Sequence, residues 1–508
     1  MKKKTITGWL AAFTFFLAAV ALQLYFNKDH YFAMNRAKCS FTMIVLIGAV
    51  ATAIARPIER IWTKQEKQRM TLLDWSVLIF GCSSIVTCLL SQDAALTFVG
   101  TKGMFVGAFT YFTGMLVYFV ISRNMIPSKW TISLLVACWT IIFGWTVLNQ
   151  CGMDIFGMHQ NMRPGDEWRY VSSMGNSNSA SVAFASIVPF IVMLLVLTQE
   201  TVKRFFLTFI CLAALLAVYS LDSEGVVIGL FTMTPFLLVA TLSDMKKVKY
   251  LLLLLIVLGL SLSVYHFLCI YNVFLSTKGL ICKLTGYWLG EIILTLGIVL
   301  YVLNNDGRLN LDSKSLKVTR NALVYACVVL LVGFVTFSIV KSFKDPSYAT
   351  GRGAVWKGNI WTFRIYSPLE MIFGQGSGMF AKNVTLAYSM LSGGESPQLY
   401  ATSHNILLQA LLGNGIFGLI CLLAGVFSVF RDWFREVRGI VLRPMPKYEN
   451  IRYIEYGEMI RVASLVAVVG YFGASLVEST YPHTAILLFA LLGLYRSTFF
   501  VPRKNVQA

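Results

Sequence analysis

The sequence predicts an all-α protein that crosses a membrane about fourteen times, and three observations carry that prediction. Of 508 residues, 57% are hydrophobic and only 13% charged, where a soluble domain would carry about a quarter charged residues. Mean hydropathy is +0.68. Apolar runs of about 17–25 residues recur along the whole chain, each long enough to span a bilayer, and the polar residues gather in the breaks between them.

Taken in order, the expected spans are 6–26, 39–55, 73–91, 103–122, 130–149, 178–198, 205–221, 225–242, 250–275, 285–303, 321–340, 405–430, 462–480 and 483–499. The first begins "MKKKTITGWLAAFTFFLAAVALQLYF" and contains an Ala19-Val20-Ala21 triplet. Its apolar run continues past that triplet and exceeds a secretory core in length, so it is expected as an uncleaved span rather than a signal peptide. The second run is the shortest. The ten cysteines form no Cys-x-x-Cys pair, and Cys82, Cys88, Cys138, Cys327 and Cys421 fall within or beside apolar runs. They are expected as small buried hydrophobes, not disulfides or metal ligands.

The net charge of +19 argues against a nucleic-acid partner because of where it lies. If the lysine-rich start is cytoplasmic, every second break should be basic. That set contains 56–69, 243–249 and 304–320, and then 431–461 with Arg431, Arg435, Arg438, Arg443, Lys447, Arg452 and Arg461. Both termini are then cytoplasmic, and the chain divides into an N-terminal bundle (1–340), a long outer loop (341–404) and a C-terminal set of spans with its tail (405–508). A connection of roughly 60 residues is far longer than two spans require and is expected to be functional. Its aromatic residues, Trp356, Trp361, Phe363, Phe373 and Phe380, suit amphipathic helices. On a helix Arg352, Trp356, Ile360 and Phe363 share one face, with Lys357 and Arg364 beside it. Such a helix either rests on the membrane interface or holds an anionic headgroup with its cations.

The stretch "ATSHNILLQALLGNGIFG", starting at Ala401, places a histidine at the outer mouth of a span. With Thr402 or Ser403 as N-cap and a helix running from His404, Gly415 and Gly418 fall about 20° and 40° from the histidine, roughly 16 and 21 Å below it. Small residues in that row leave a slot for another helix or a lipid chain. The positive helix end disfavours imidazolium, so His404 is expected neutral near pH 7, able to accept a proton and to sit beside a phosphate. An interfacial histidine with an ordinary hydrogen-bonding role is the alternative.

His404, Asn405, nine residues, Gly415, two residues and Gly418 resemble the signature of the O-antigen ligase and polymerase family. The stretch 350–380 is similar to that family's outer loop at Gly351, Arg352, Trp356, Pro368, Gly374, Gly376, Gly378 and Phe380. "GNSNSASVAF" at 175–184 resembles the start of an earlier family span, with Asn178 as the match. The resemblance implies a GT-C-like fold and a membrane glycosyltransferase of the bacterial plasma membrane with its site facing the exterior. Its donor would be a polyprenyl (undecaprenyl) diphosphate-linked glycan, its acceptor a glycan or lipid-linked sugar hydroxyl, its surroundings membrane lipid, and it would need no cofactor or metal. The five histidines are dispersed, without His-Glu-x-x-His spacing.

Residue by residue, the resemblance implies that Arg352 holds the leaving diphosphate, His404 takes the acceptor's proton and Asn405 orients the histidine or the substrate, in one inverting displacement. Lys357 and Arg364 are further candidate diphosphate ligands. Glu478, before "STYPH", is expected either to orient His404 or a hydroxyl, or to face water at the rim. The sequence departs from the family at Glu224, which stands where an arginine is usual. Either Arg163 or Arg169 supplies the second cation, if their loop folds over the site, or Asp222 and Glu224 bind sugar hydroxyls or assist the base. Polymerase and ligase share this chemistry, and the requirement for no lipopolysaccharide favours the polymerase. The rival class is a lipid-linked oligosaccharide flippase, whose halves should repeat, and a binder without turnover is a third reading.

Overall fold

In a computed structural model of the chain, residues 5–27, 30–63, 68–160, 162, 165–275, 280–345, 348–381, 383, 401–445 and 454–500 are described. The long apolar runs become helices. They are α1 (Ile6–Leu24), α2 (Met34–Thr63), α3 (Leu72–Leu90), the short α4 (Ala94–Val99), α5 (Ala108–Asn124), α6 (Lys129–Gln150), α7 (Ser177–Leu197), α8 (Thr201–Ser220) and α9 (Glu224–Thr241). There follow α10 (Met245–Ile270), the short α11 (Leu280–Thr285), α12 (Leu289–Asn305), α13 (Ser313–Lys344), α14 (Tyr348–Arg364), α15 (Pro368–Phe373), α16 (Ile406–Val441), α17 (Tyr456–Ser475) and α18 (Pro482–Ser497). Two two-residue strands, β1 (Tyr170–Val171) and β2 (Gly175–Asn176), pair antiparallel.

Among the described residues, twelve helices are long and apolar enough to cross a membrane, so this is an all-α multi-pass membrane protein. The other two expected spans, the fourth and the tenth, are the 17-residue helices α5 and α12. The fourth was expected to start at residue 103. Instead Gly100, Gly103 and Phe105 take positive φ, which ends α4 and delays α5 to Ala108. The tenth starts at Leu289 after Trp288, which is left-handed. The short second run extends to a 30-residue helix.

The centre of the bundle is α7, whose apolar stretch is wholly buried, flanked by α17, α9 and α8; α13 is exposed along nearly all of its length. A helix that is hydrophobic all round belongs in the interior, and α7 gets there with small residues in its first half. The backbone of Gly470 lies so close to α7 that an added Cβ would stand 2.0 Å from the Ala185 carbonyl, and one on Gly229 would stand 2.5 Å from Ala185 Cβ. Three helices thereby meet at backbone distance, as packing in lipid requires. Hydroxyls inside the core return to their own helix: Ser181 donates to the Ser177 carbonyl at 2.8 Å and Ser186 to the Val182 carbonyl at 3.0 Å. The N-terminal helix is part of this core. Ala18 and Ala19 are fully buried, and the buried Lys38 Nζ donates to the Leu22 and Gln23 carbonyls at 2.7 and 2.8 Å where α1 ends.

The alternating helices give the molecule two ends. At one lie the described residues of the connections at 68–72, 124–129, 197–201, 241–245, 305–313, 441–445 and 454–456, in or beside the basic breaks. There Asp74 binds Arg123 at 2.8 Å and accepts from Tyr118 at 2.7 Å, and Arg443 forks onto Glu458 at 2.7 and 2.8 Å. At the other end lie the described residues 344–345, 348–381 and 401–406, with 220–224 and 475–482, which build the candidate site.

Candidate functional site

Between α13 and α16, the described residues 348–381 are largely helical and fold onto the bundle. On α14, Val355, Asn359 and Thr362 are buried, continuing to Tyr366 just beyond the helix, a stripe at the spacing of one helix face. The expected face of Arg352, Trp356, Ile360 and Phe363 stands one residue round from it and is half-buried. Val355, Tyr366, Phe380 and Leu412 form a small core that fixes α14 against α16.

Next, the chain sets the His-Asn pair. Asn405, not Thr402 or Ser403, is the N-cap of α16: its Oδ1 accepts from Leu407 and Leu408 N–H at 2.9 and 3.1 Å. Its Nδ2 donates to the Leu476 carbonyl at 2.9 Å, which ties the start of α16 to the turn after α17. Asn405 thus positions backbone through both ends of its amide. His404 lies outside the helix, left-handed at φ +47°. The projection of His404 above Gly415 and Gly418 fails for that reason and for a second. At Gly415 the backbone is non-helical (φ +68°, ψ −170°) and α16 is kinked. The slot expected there is filled by the chain itself: Gln375 and Gly376 N–H donate to the Leu412 and Gly413 carbonyls at 3.1 and 3.0 Å. A Cβ on Gly415 would stand 2.2 Å from the Ile372 carbonyl oxygen, and one on Gly374 would stand 2.4 Å from that of Gly413. The motif glycines of the loop and of the span are two halves of one contact. Gly418 is buried one turn below, where a Cβ would meet Asn414 Cβ at 2.2 Å.

Four polar side chains converge from four parts of the chain. Arg352, near the start of α14, donates from Nη2 to Glu478 Oε1 at 3.0 Å, and its Nη1 lies 3.7 Å from Glu224 Oε2. Glu478, in the turn between α17 and α18, is buried, and Ser223 Oγ donates to its Oε1 at 3.1 Å. Its Oε2 is buried with no hydrogen-bond partner among the described residues. His404 Nδ1 is 3.2 Å from Ser479 Oγ, which also bonds Thr402 Oγ1, and Trp356 Nε1 holds the Ser403 carbonyl at 3.1 Å. Glu478 is therefore neither a water-facing rim carboxylate nor the partner of His404; it pairs with Arg352, and Ser479 orients the histidine.

The electrostatics follow from burial. Desolvation, and then the Arg352 charge, hold His404 down at about 4, so its imidazole is neutral at pH 7. The cause is burial and a neighbouring cation rather than the helix dipole invoked from the sequence. Desolvation pushes the Glu478 carboxyl up to about 7 against the opposing pull of Arg352 and Ser223, with Glu224 adding to the rise. At neutral pH the site holds a neutral base, a permanent cation and a buried carboxyl poised between its two forms.

Other candidates stand apart. Lys357 lies over the Trp361 ring at 4.7 Å and lines a cavity of about 290 Å³ with Phe334, Ile339, Trp356, Ile360 and Leu408. Arg364 is exposed at the far end of α14, roughly 18 Å along the helix from Arg352 by rise per residue. Arg169 pairs locally with Asp166 at 3.5 Å and stacks on Trp168 at 5.2 Å, and Arg163 lies outside the described residues. Asn178 is half-buried in the first turn of α7, which Asn176 caps. Sequence reasoning missed Ser223, Ser479 and Asn359. The two serines adjoin Glu224 and Glu478, so adjacency was the available signal. Asn359 is seven residues from Arg352, on the same helix face. Its amide is buried with both atoms unpartnered among the described residues, and nothing in the sequence marks it. Among the described residues no group of three or more His, Cys, Asp or Glu is placed to hold a metal ion.

The fold and site define a multi-pass α-helical membrane protein with a histidine–arginine–carboxylate cluster at one end of the bundle, beside an apolar cavity. No family model matches the chain, and no curated protein matches it either.

Proposed function

We propose that the chain is a bacterial plasma-membrane glycosyltransferase that moves a glycan from a polyprenyl diphosphate carrier to a sugar hydroxyl, as a surface-polysaccharide polymerase or an O-antigen-type ligase. The observation that carries this reading is a neutral His404 beside Arg352, next to an apolar cavity that Asn405 and Trp356 help to line. A carrier needs all three: a base, an anion site, and a slot for hydrocarbon.

The diphosphate occupies Arg352, whose forked guanidinium suits phosphate oxygens, and the first isoprene units lie in the cavity. Glu478 takes up a proton as the anion arrives, which frees the arginine's charge for the ligand. With its Nδ1–H given to Ser479, His404 presents the Nε2 lone pair to the acceptor hydroxyl. The hydroxyl oxygen forms a bond to the anomeric carbon, the bond to the diphosphate breaks with its electron pair leaving on phosphate oxygen, and the hydroxyl proton passes to Nε2. One displacement inverts the anomeric centre. Arg352 stabilises the charge that develops on the leaving group. The site faces the exterior if the basic end is cytoplasmic.

One observation favours a second reading, a lipid-linked oligosaccharide flippase. Arg352 is already paired with Glu478 and flanked by Glu224, an arrangement that can exchange partners without chemistry. Glycan assembly in the native host decides, comparing wild type with His404→Ala and Arg352→Ala at matched membrane abundance and sizing the carrier-linked species that accumulate. Single repeats building up on the outer leaflet support the polymerase, and full-length carrier-linked chains the ligase. Repeats trapped on the inner leaflet support the flippase. Wild-type behaviour of both variants overturns the catalytic assignment.

A further inference from the structure

The turn that follows α15 docks deep against two spans. α16 carries no charged residue from Ile406 to Phe430, and its break at Gly415 stands nine residues inside that run, roughly 14 Å along the axis. The chain from Ile372 to Gly376 packs against the break, and it also reaches α3 inside its end. Thr87, three residues before the last residue of α3, donates to the Phe373 carbonyl at 2.5 Å, and Ser91 donates to the Gln375 carbonyl at 3.0 Å. Thr101 donates to the Gly378 carbonyl at 3.1 Å. The Gln375 and Gly376 N–H groups are on α16 carbonyls, and the Gly374 N–H is on the Glu370 carbonyl at 2.7 Å. Glycine lets the backbone come this close: a Cβ on Gly376 would stand 2.2 Å from Thr97 Cγ2, and one on Gly378 would stand 2.2 Å from the Leu96 carbonyl oxygen. A loop in water can leave its backbone to solvent, whereas irregular backbone at membrane depth must be paired with protein in this way.

The side of this segment turned away from the protein is apolar. Between Ile365 and Ala381 the one charged residue is Glu370, and its carboxylate accepts from Ser367 N–H and Gln375 Nε2, both at 2.8 Å. Leu369 and Ile372, one turn apart on α15, are 54% and 48% exposed, and Ile365 just before the helix is 56% exposed. This face continues the surface of a span. The Phe373 and Phe417 rings lie 6.3 Å apart, and Ile416, Ile420, Leu423 and Phe427 form an exposed stripe down α16, which in a membrane-spanning helix meets acyl chains. We propose that α15 and the turn to Gly378 form a re-entrant wedge whose partner is the hydrocarbon of the nearer leaflet. Ile365, Leu369 and Ile372 lie among acyl chains, while Arg364, exposed at the end of α14, stays at the headgroups. Contiguous exposed apolar surface of this kind marks a membrane contact. Through the core that Tyr366 and Phe380 share with Val355 and Leu412, the wedge holds α14 at a fixed height in the bilayer. It follows from packing and does not depend on the transfer reaction.

The test places a nitroxide label on single cysteines in the full chain, with the ten native cysteines replaced, in vesicles of phosphatidylcholine and phosphatidylglycerol. Collision with oxygen, which concentrates in hydrocarbon, is compared with collision with a water-soluble nickel chelate. Labels at Leu369→Cys and Ile372→Cys should favour oxygen several-fold, as should Ile420→Cys on α16, and Arg364→Cys should favour nickel. Dominant nickel collisions at positions 369 and 372 place α15 in water and overturn the proposal. Low collision with both reagents shows a cover of protein, from this chain or a second copy, and also overturns it. Wild type supplies a second readout that no misfolded variant can confuse. A diazirine carried on phospholipid acyl chains and photolysed in the same vesicles should modify residues 365–373 as it modifies 416–427. Modification of 416–427 with none at 365–373 overturns the wedge.

Discussion

At the scale of single residues, the behaviour of the site turns on Glu478. Burial raises its carboxyl from the ordinary range to about 7, so between pH 4.5 and 7 the folded protein binds a proton that the unfolded chain has released. Stability from this group is fully present below about 4.5 and is lost as pH rises through 7. The full shift corresponds to roughly 3 kcal/mol at most. Thermal unfolding in detergent should show wild type falling in midpoint across that window, while Glu478→Gln stays flatter. Equal slopes would place the Glu478 carboxyl in water. Donor binding follows the same titration. An anion on Arg352 favours protonated Glu478, so affinity for a diphosphate lipid should weaken above pH 7 in wild type and not in Glu478→Gln. His404 has the opposite sign. Its neutral form is favoured by the fold, and protonation as pH falls through about 4 removes the base. The sequence singled out Arg352 and His404 through the family resemblance and Glu478 through its place at the outer end of a span, before "STYPH". It did not disclose which pairs with which. Arg352 and Glu478 are 126 residues apart in the chain, and only the packed bundle makes them neighbours.

At the scale of elements, the long helices were legible and their irregularities were not. All fourteen expected spans fall on helices because an apolar run of that length has no other satisfied conformation in lipid. What composition does not carry is local backbone geometry: the left-handed His404, the cap moved to Asn405, and the break in α16 at Gly415. Each depends on a partner distant in sequence, and the helical period wrongly carries α16 back through His404. The break in α16 makes its own prediction. Gly415→Ala adds a methyl 2.2 Å from the Ile372 carbonyl at a φ that L-residues avoid, costing ~1–2 kcal/mol for the conformation and about 1–3 kcal/mol for overpacking. Its unfolding midpoint should fall by several degrees. Gly439→Ala, in a helix with nothing within 4 Å of the added methyl, should leave the midpoint unchanged or raise it. If both variants melt with wild type, the α15 backbone does not dock into the kink.

At the scale of the whole molecule, the two ends differ in kind. One gathers the basic breaks into ion pairs and carbonyl contacts, as where Lys247 Nζ donates to the Val441 and Arg443 carbonyls at 2.7 and 2.6 Å. The other holds the histidine cluster in a region of longer, folded connections. Positive charge is retained on the cytoplasmic side during insertion, so the asymmetry makes a prediction of orientation: the basic end in the cytoplasm. Lys102 lies at the site end between α4 and α5, and Lys314 at the basic end at the start of α13; both are exposed. Placed singly in a background lacking the ten native cysteines, Lys102→Cys should react with a membrane-impermeant thiol reagent in intact cells. Lys314→Cys should react only after the membrane is opened. The reverse pattern would put the cluster on the cytoplasmic side, where a carrier-linked glycan is still being built rather than transferred. Arg352 and His404 would then meet the substrate before export, and a flippase that loads from the inside would explain the paired arginine better than a transferase does.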